Sequence, residues 1–335
     1  MSNNKNASSN YDSIPVSVCT ISVDDLDKSL SFYEGALGLE IAERKIWEGP
    51  EFEAYWQLPE GSSAEAVFLR SGPDPVGQIQ LLKFNAADRK QIRQAGIKRA
   101  VGLFNLNIYT KDVKRDHANL LEQGYEFWSE PNHINFGPAV GEAMEFAFEG
   151  PDGVVINLVE LLTDDPETMI GHLWHFVLGY GRTPTGFTPV ATTAHTVNDT
   201  DKALEFYYGP LNMKLFAESV IEGEAANRSV DLPEHCKTRS VLVMGDHEYG
   251  KIALAEPLNY EIPDLVPDAV APNIGYLAQS FAVADLDAVA SACEAIGIEV
   301  YTAISELDLP GRGRCKAMIV RNPGSGALQE LVQPL

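Results

Sequence analysis

Four stretches of the chain open in the same way, about 87 residues apart, and no other feature restricts the fold as much. The first reads Val23-Asp-Asp25-Leu-Asp-Lys-Ser-Leu-Ser-Phe-Tyr33, and the third Val197-Asn-Asp199-Thr-Asp-Lys-Ala-Leu-Glu-Phe-Tyr207. Weaker copies are Thr110-Lys-Asp112-Val-Lys-Arg115 and Val283-Ala-Asp285-Leu-Asp-Ala288. The anchoring aspartates at 25, 112, 199 and 285 are stepped by 87, 87 and 86 residues. Each follows an apolar, strand-like run and opens a helical pattern. A short carboxylate there accepts from the free N–H groups of the first turn.

After each helix, period-two alternation and turn residues read as further strands, so each unit is βαβββ. Unit one has a strand at Val16–Val23, a helix to Leu37 ended by Gly38, and strands at Glu40–Ile46, Glu53–Leu58, Ala64–Arg70 and Gln78–Phe84. A polar helical stretch, Ala86–Ala95, leads to unit two. There the strands are Leu103–Thr110, Tyr125–Ser129, Ala143–Phe148 and Val154–Leu161, with a helix at Asp112–Gln123. Unit three has strands at Val190–Val197, Lys214–Ile221, Ser229–Leu232, Arg239–Met244 and Lys251–Ala255, with a helix at Asp199–Tyr208. Unit four has strands at Tyr276–Val283, Glu299–Ala303, Arg314–Arg321 and Ala327–Val332, with a helix at Asp285–Ile296. One unit leaves a curved sheet face uncovered, so units must pair. Pairing of consecutive units predicts an α+β chain of two cup-shaped domains, 15–161 and 188–335. The linker 162–187 carries a short helix near Glu167–Leu178. The Asn- and Ser-rich start, residues 1–14, reads as a disordered tail and not as a signal peptide.

A formal charge of −23 argues against nucleic acid and anionic membranes as partners. No apolar run reaches the length of a membrane span. The four cysteines are scattered without a Cys-x-x-Cys pair, which fits a reducing cytoplasm. The expected partner is a small molecule, and a homodimer is compatible with the pattern.

The opening of residues 23–39 and its copies resemble the vicinal oxygen chelate superfamily, to which glyoxalase I, extradiol dioxygenases and bleomycin resistance proteins belong. Residues 197–216 resemble the third unit of extradiol dioxygenases. Gly150-Pro-Asp-Gly-Val-Val-Ile-Asn-Leu-Val-Glu160 resembles the closing strand of a unit, and Asn322-Pro with Gln329-Glu330-Leu-Val is its counterpart in unit four. The resemblance implies paired sheets forming cups that usually hold a divalent metal. Its ligands come from the first and last strands of the units. Carried onto this chain, the first-strand positions are Val18, Asn105, Thr192 and Ala278, and the last-strand positions are Gln80, Asn157, Ala253 and Glu330. Pairing consecutive units groups Val18, Gln80, Asn105 and Asn157 in one cup, and Thr192, Ala253, Ala278 and Glu330 in the other. Neutral amides and one carboxylate are weak ligands for a divalent ion. The expectation is therefore no metal and no other cofactor, with iron, manganese or zinc as the alternative.

Two residues are expected to carry chemistry. Glu330 stands alone among small apolar neighbours, where desolvation would raise its pKa toward that of a general acid or base. The bland reading pairs it with Arg312 or Arg314. His195 lies three residues after Thr192, on the opposite face by alternation, and a β-bulge would return it to the cup. Facing inward, His195 with Glu330 would need a third ligand to hold a metal, such as His235 or His247. Gln80, Asn105, Asn107, Tyr109, Asn157, Thr192 and Ser280 are the expected substrate-binding residues, their amides and hydroxyls being suited to a carbonyl or phenol. The function expected is a lyase or isomerase acting by proton transfer on an apolar, aromatic or carbonyl-bearing substrate. The alternatives are a metal-dependent dioxygenase- or glyoxalase-type enzyme, and a ligand-sequestering protein of the bleomycin resistance type.

Overall fold

The computed structural model describes residues 11–228 and 232–335. Unit one holds β1 (Val16–Ser22), α1 (Leu26–Leu30), β2 (Glu40–Glu48), α2 (Pro50–Trp56), β3 (Ser63–Arg70) and β4 (Gln78–Phe84). Unit two holds β5 (Gly102–Tyr109), α3 (Val113–Glu122), β6 (Asn132–Asn135), β7 (Glu142–Glu149) and β8 (Val155–Leu161). After the linker helix α4 (Met169–Tyr180), unit three holds β9 (Val190–Thr196), α5 (Thr200–Tyr208), β10 (Lys214–Glu222), α6 (Glu224–Arg228), β11 (Lys237–Met244) and β12 (Lys251–Pro257). Unit four holds β13 (Gly275–Ala282), α7 (Leu286–Ala295), β14 (Val300–Leu309), β15 (Gly313–Arg321) and β16 (Leu328–Pro334).

All four anchoring aspartates are helix N-caps. Asp25 accepts from the N–H groups of Asp27 and Lys28, Asp112 from Arg115, Asp199 from Lys202, and Asp285 from Ala288. The repeat is thus a capping device that turns each first strand into its helix.

The strands form two curved mixed sheets of eight, in the orders β14-β15-β16-β13-β1-β4-β3-β2 and β10-β11-β12-β9-β5-β8-β7-β6. The expected pairing of unit one with unit two, and of unit three with unit four, does not form. Unit one pairs with unit four through antiparallel β1 and β13, and unit two with unit three through antiparallel β5 and β9. Neither 15–161 nor 188–335 builds a sheet of its own. Each unit offers an equivalent first strand, so alternation is satisfied by either partner. The connectors accompany the outcome: 86–100 and 258–274 run side by side, with Ile92 N–H on Ile274 O at 2.9 Å and a parallel bridge Val101↔Asp264.

Three local expectations are also corrected, and a fourth falls mostly outside the described residues. Residues 53–58 lie mostly in helix α2, opened by Gly49 at φ +101° and Pro50 at the first helical position. Phe52, Tyr55 and Trp56, at helical spacing, bury one face. Residues 86–95 form an irregular connector and not a helix. The expected strand Tyr125–Ser129 contributes only the bridge Phe127↔Phe148. Of Ser229–Leu232, residues 229–231 lie outside the described residues, as do the first ten residues of the tail; Leu232 is not in a strand.

The convex backs of both sheets and the helices share one core. Cys19, Ile21, Ile79, Leu81, Phe281 and Leu331 from one sheet meet Leu106, Ile108, Ile156, Leu158, Ile252 and Leu254 from the other. The concave faces, carrying the alternate residues, form the two cups.

Candidate functional site

Cup one belongs to units one and four. Its floor presents Val18, Gln80, Ala278 and Glu330, all buried to within 2% of full burial. Helix α2 lies across this face against β2 and β14, and Trp47, Phe52, Tyr55, Trp56 and Phe84 fill that end. Thr302 Oγ1 on the Tyr55 carbonyl at 2.9 Å fixes α2 to β14.

The floor carries one connected polar cluster. Tyr55 donates to Glu330 Oε1 at 2.7 Å, and Ser280 donates to Oε2. Arg312 Nη1 donates to the same Oε2 at 2.7 Å, and Nη2 donates to Gln80 Oε1 at 2.8 Å. Arg312 Nε is buried without a partner among the described residues. Arg312 arrives from the turn between β14 and β15, where Gly311 and Gly313 both sit at φ +71°. Gly311 donates its N–H to the Glu43 carboxylate, and a Cβ there would run into the Phe68 ring. Only glycine lets this turn press so close and aim the guanidinium inward.

The expected upward shift of Glu330 is reversed. Burial pushes its carboxyl up, but the Arg312 charge and the hydrogen bonds from Arg312, Ser280 and Tyr55 outweigh it, holding the pKa below the usual carboxylate range. Burial lowers the Arg312 guanidinium, yet Glu330 raises it overall. Glu330 is therefore an ionised partner of Arg312, held by three donors. The bland pairing reading names the right arginine, and Arg314 instead pairs with Glu306 at the surface.

Beside the guanidinium opens a cavity of about 490 Å³, lined by Arg312, Val18, Phe68, Gln78, Val332 and the loop Gly72–Pro75. That loop is held by the other sheet's side of the molecule, through His247 and Asp74 at 3.3 Å and the Tyr180 hydroxyl at 3.4 Å from the Asp74 N–H.

Cup two belongs to units two and three and presents Asn105, Asn157, Thr192 and Ala253. Asn105 is spent on structure. Phe104 is an extra residue on β5 opposite β9, and Asn105 Oδ1 accepts the Ala194 N–H at 3.1 Å beside it. Asn157 donates to Glu145 Oε2 at 3.0 Å, while Asn107 Oδ1 has no partner among the described residues. Burial raises the Glu145 pKa, the Asn157 bond opposing it. Lys251, paired across strands with Thr192, is buried against Glu248 at 3.0 Å and the Phe216 ring at 5.1 Å. Tyr109 packs beside Tyr249 and α4 at the far end.

His195 is not in either cup. The extra residue on β9 is Ala191, which precedes Thr192, so alternation beyond it is undisturbed. Thr192 and Ala194 keep the cup face, and Thr193 and His195 point into the shared core. His195 Nδ1 lies 2.8 Å from the Tyr207 hydroxyl and Nε2 2.6 Å from Ser325 Oγ. Burial pushes the imidazole down to about 3, so it is neutral. A catalytic role on a cup ligand is excluded by placement.

The structure thus regroups the expected residues: Gln80, Ser280 and Glu330 share cup one, while Asn107, Asn157, Thr192 and Tyr109 belong to cup two. Tyr55, Glu145 and Lys251 were missed. The proline at helix position one and aromatic spacing of 52, 55 and 56 signal the first. The inward phase of charged residues on β7 and β12 signals the others.

Residues 16–158 match the sequence model of the Glyoxalase/Bleomycin resistance protein/Dioxygenase superfamily. Over 243 residues the chain is 24% identical to lactoylglutathione lyase GLX1 of Arabidopsis thaliana, covering 72% of this chain and 66% of that protein. Glyoxalase I from Zea mays has the same fold, with a TM-score of 0.60 at 19% identity over 96% of this chain and 93% of that one. A Bacillus subtilis protein described as a candidate dioxygenase superposes with a TM-score of 0.54 at 14% identity, over 96% of this chain and 86% of that one.

These relatives correct the expectation that no cofactor is involved, because glyoxalase I and dioxygenase-type proteins are metal-dependent classes. In cup one the guanidinium spans Gln80 and Glu330, and Val18 and Ala278 bring no donor atoms. In cup two Asn105 is committed to the backbone and Ala253 brings no donor. Among the described residues no cluster of three or more His, Cys, Asp or Glu is placed to hold a metal ion. The donor sets as arranged do not fit a divalent metal.

Proposed function

Starting from a chain that carries a domain of the glyoxalase, bleomycin resistance protein and dioxygenase superfamily, we propose an enzyme acting on a small, largely apolar, carbonyl-bearing or aromatic substrate in cup one. The reaction class is proton transfer of the lyase or isomerase type. The single observation that carries the reading is the cavity of about 490 Å³ beside Arg312, with Val18, Phe68 and Val332 suited to an apolar body. Glu40 and Asp74 line the same cavity and are the carboxylates within reach of a proton on its contents. Ionised Glu330 acts through Arg312 as a positioning residue.

Among the described residues no helix is long and apolar enough to cross a membrane. Four buried, unpaired cysteines support a reducing cytoplasm, and a homodimer is compatible with this reading.

The test is a turnover screen of aryl ketones, cyclic enones and 2-oxo acids, with lactoylglutathione included because the Arabidopsis relative is named for it. Turnover of one class, lost when Val332→Phe fills the cavity, is the expected result. Tight binding without turnover would favour the sequestering reading, and turnover indifferent to Val332→Phe would move the site out of cup one.

A further inference from the structure

The hydrogen bonds around Glu330 leave two buried donors over among the described residues, Gln80 Nε2 and Arg312 Nε, and only the second belongs to a charged group. Its Oε1 takes Tyr55, and its Oε2 takes Ser280 and Arg312. Gln80 Oε1 takes the other guanidinium arm at 2.8 Å. A guanidinium has five N–H groups in a rigid fork. Two are used by these bonds, Nη1 is also 3.3 Å from Ser280 Oγ, and buried Nε has no partner among the described residues. A buried donor without a partner costs about 1–3 kcal/mol unless something accepts from it. The same residue lines the cavity beside the cluster.

From this placement we infer that Arg312 is the electrophile of cup one, receiving the carbonyl oxygen of an uncharged ligand on its spare N–H groups. The inference rests on reading this cavity as the substrate site. The class of ligand follows from charge. Arg312 and Glu330 form a neutral pair at 2.7 Å, and the rim pair Arg70 and Glu40 at 2.8 Å is neutral as well. A carboxylate ligand would find no net positive field and would face Asp74 on the cavity wall. A neutral carbonyl needs only a directed donor. A fixed guanidinium polarises it and stabilises charge that develops on its oxygen, without reorganising at that moment. The glycine turn and the Glu330 and Gln80 bonds supply the fixing.

Acetophenone and benzoate, equal in size and different in charge, are the probes, titrated at pH 7 into wild type, Arg312→Lys and the double variant Arg312→Met/Glu330→Gln. The double variant removes both charges together, so it keeps the fold where Arg312→Met alone would strand Glu330. Acetophenone is expected to bind wild type and to lose about 10-fold or more in both variants, the range for one buried donor. Its carbonyl stretch in the wild-type complex is expected at lower frequency than in either variant. Benzoate is expected to bind no tighter than acetophenone. Acetophenone affinity unchanged in the double variant, or benzoate 10-fold the tighter, overturns the inference while the cavity remains a ligand site. Failure of both probes to bind wild type, or binding indifferent to Val332→Phe, overturns the reading of the cavity and the inference with it.

Discussion

Arg312→Met is the substitution from which the physics of cup one is best read. Glu330 is fully buried, and its two carboxylate oxygens keep only Tyr55 and Ser280 once the guanidinium is gone. Two charges about 4 Å apart at an effective dielectric of about 20 attract by about 4 kcal/mol, which matches the 3–5 kcal/mol typical of stranding one partner of a buried pair. Arg312→Met is therefore expected to lose about 3–5 kcal/mol at pH 7 in urea unfolding. Glu330→Gln leaves an arginine whose side chain is still 12% exposed and bordered by the cavity, so it should lose less, about 2 kcal/mol. In the double variant the charge penalty vanishes, and the loss should be no more than that of Glu330→Gln. The pH dependence carries the sign. In wild type the folded pKa of Glu330 lies below its unfolded value, so its contribution is present above the unfolded pKa and is lost as pH falls through the folded one. Without Arg312, burial outweighs the two remaining hydrogen bonds from Tyr55 and Ser280, and the folded pKa rises above the unfolded value. The variant should then recover stability as pH falls. Equal losses for Arg312→Met and the double variant, with parallel pH profiles, would refute the pairing argument.

Further expectations use other parts of the molecule. His195 titrates near 3 when folded and near 6.5 when unfolded, so its stability contribution is complete above about 6.5 and falls by about 1.4 kcal/mol per pH unit below it; His195→Gln should flatten that slope in acid unfolding by one proton. Glu145→Gln should raise the melting temperature at pH 7 and give no gain at pH 4, because burial raises the folded pKa of that carboxyl and the ionised form opposes folding. Gly311→Ala forces a side chain into the Phe68 ring at φ +71° and should lower the melting temperature and weaken ligand binding in cup one together, whereas Gly297→Ala, at φ +73° with open space around it, should lower stability alone. Asp285→Ala removes one cap and should cost about 1 kcal/mol by urea titration without touching either cup.

Much of this architecture was legible before any coordinates. The four aspartates marked four strand-to-helix turns because capping is a local requirement, met by residues within one turn of each other. Alternation placed Gln80, Ser280 and Glu330 on concave faces and kept His195 opposite Thr192, because side-chain direction along a strand needs only the sequence. Helix α2 carries a local signal in Pro50 and in the spacing of Phe52, Tyr55 and Trp56, but aromatic residues suit a strand as well. The fate of Asn105 was not legible: its side chain serves a bulge that arises only when β5 meets β9.

Local sequence, then, determined the units, their caps, and which side chains face a cup, since each follows from interactions spanning a few residues. The partnership of units was decided only in three dimensions, where four equivalent first strands could each pair with another and the connectors settled side by side. That choice placed Gln80 with Glu330 instead of with Asn157. It also let a turn 18 residues before Glu330 bring Arg312 to both. Charge compensation in a buried site depends on distances between distant segments, and no period along the chain encodes those.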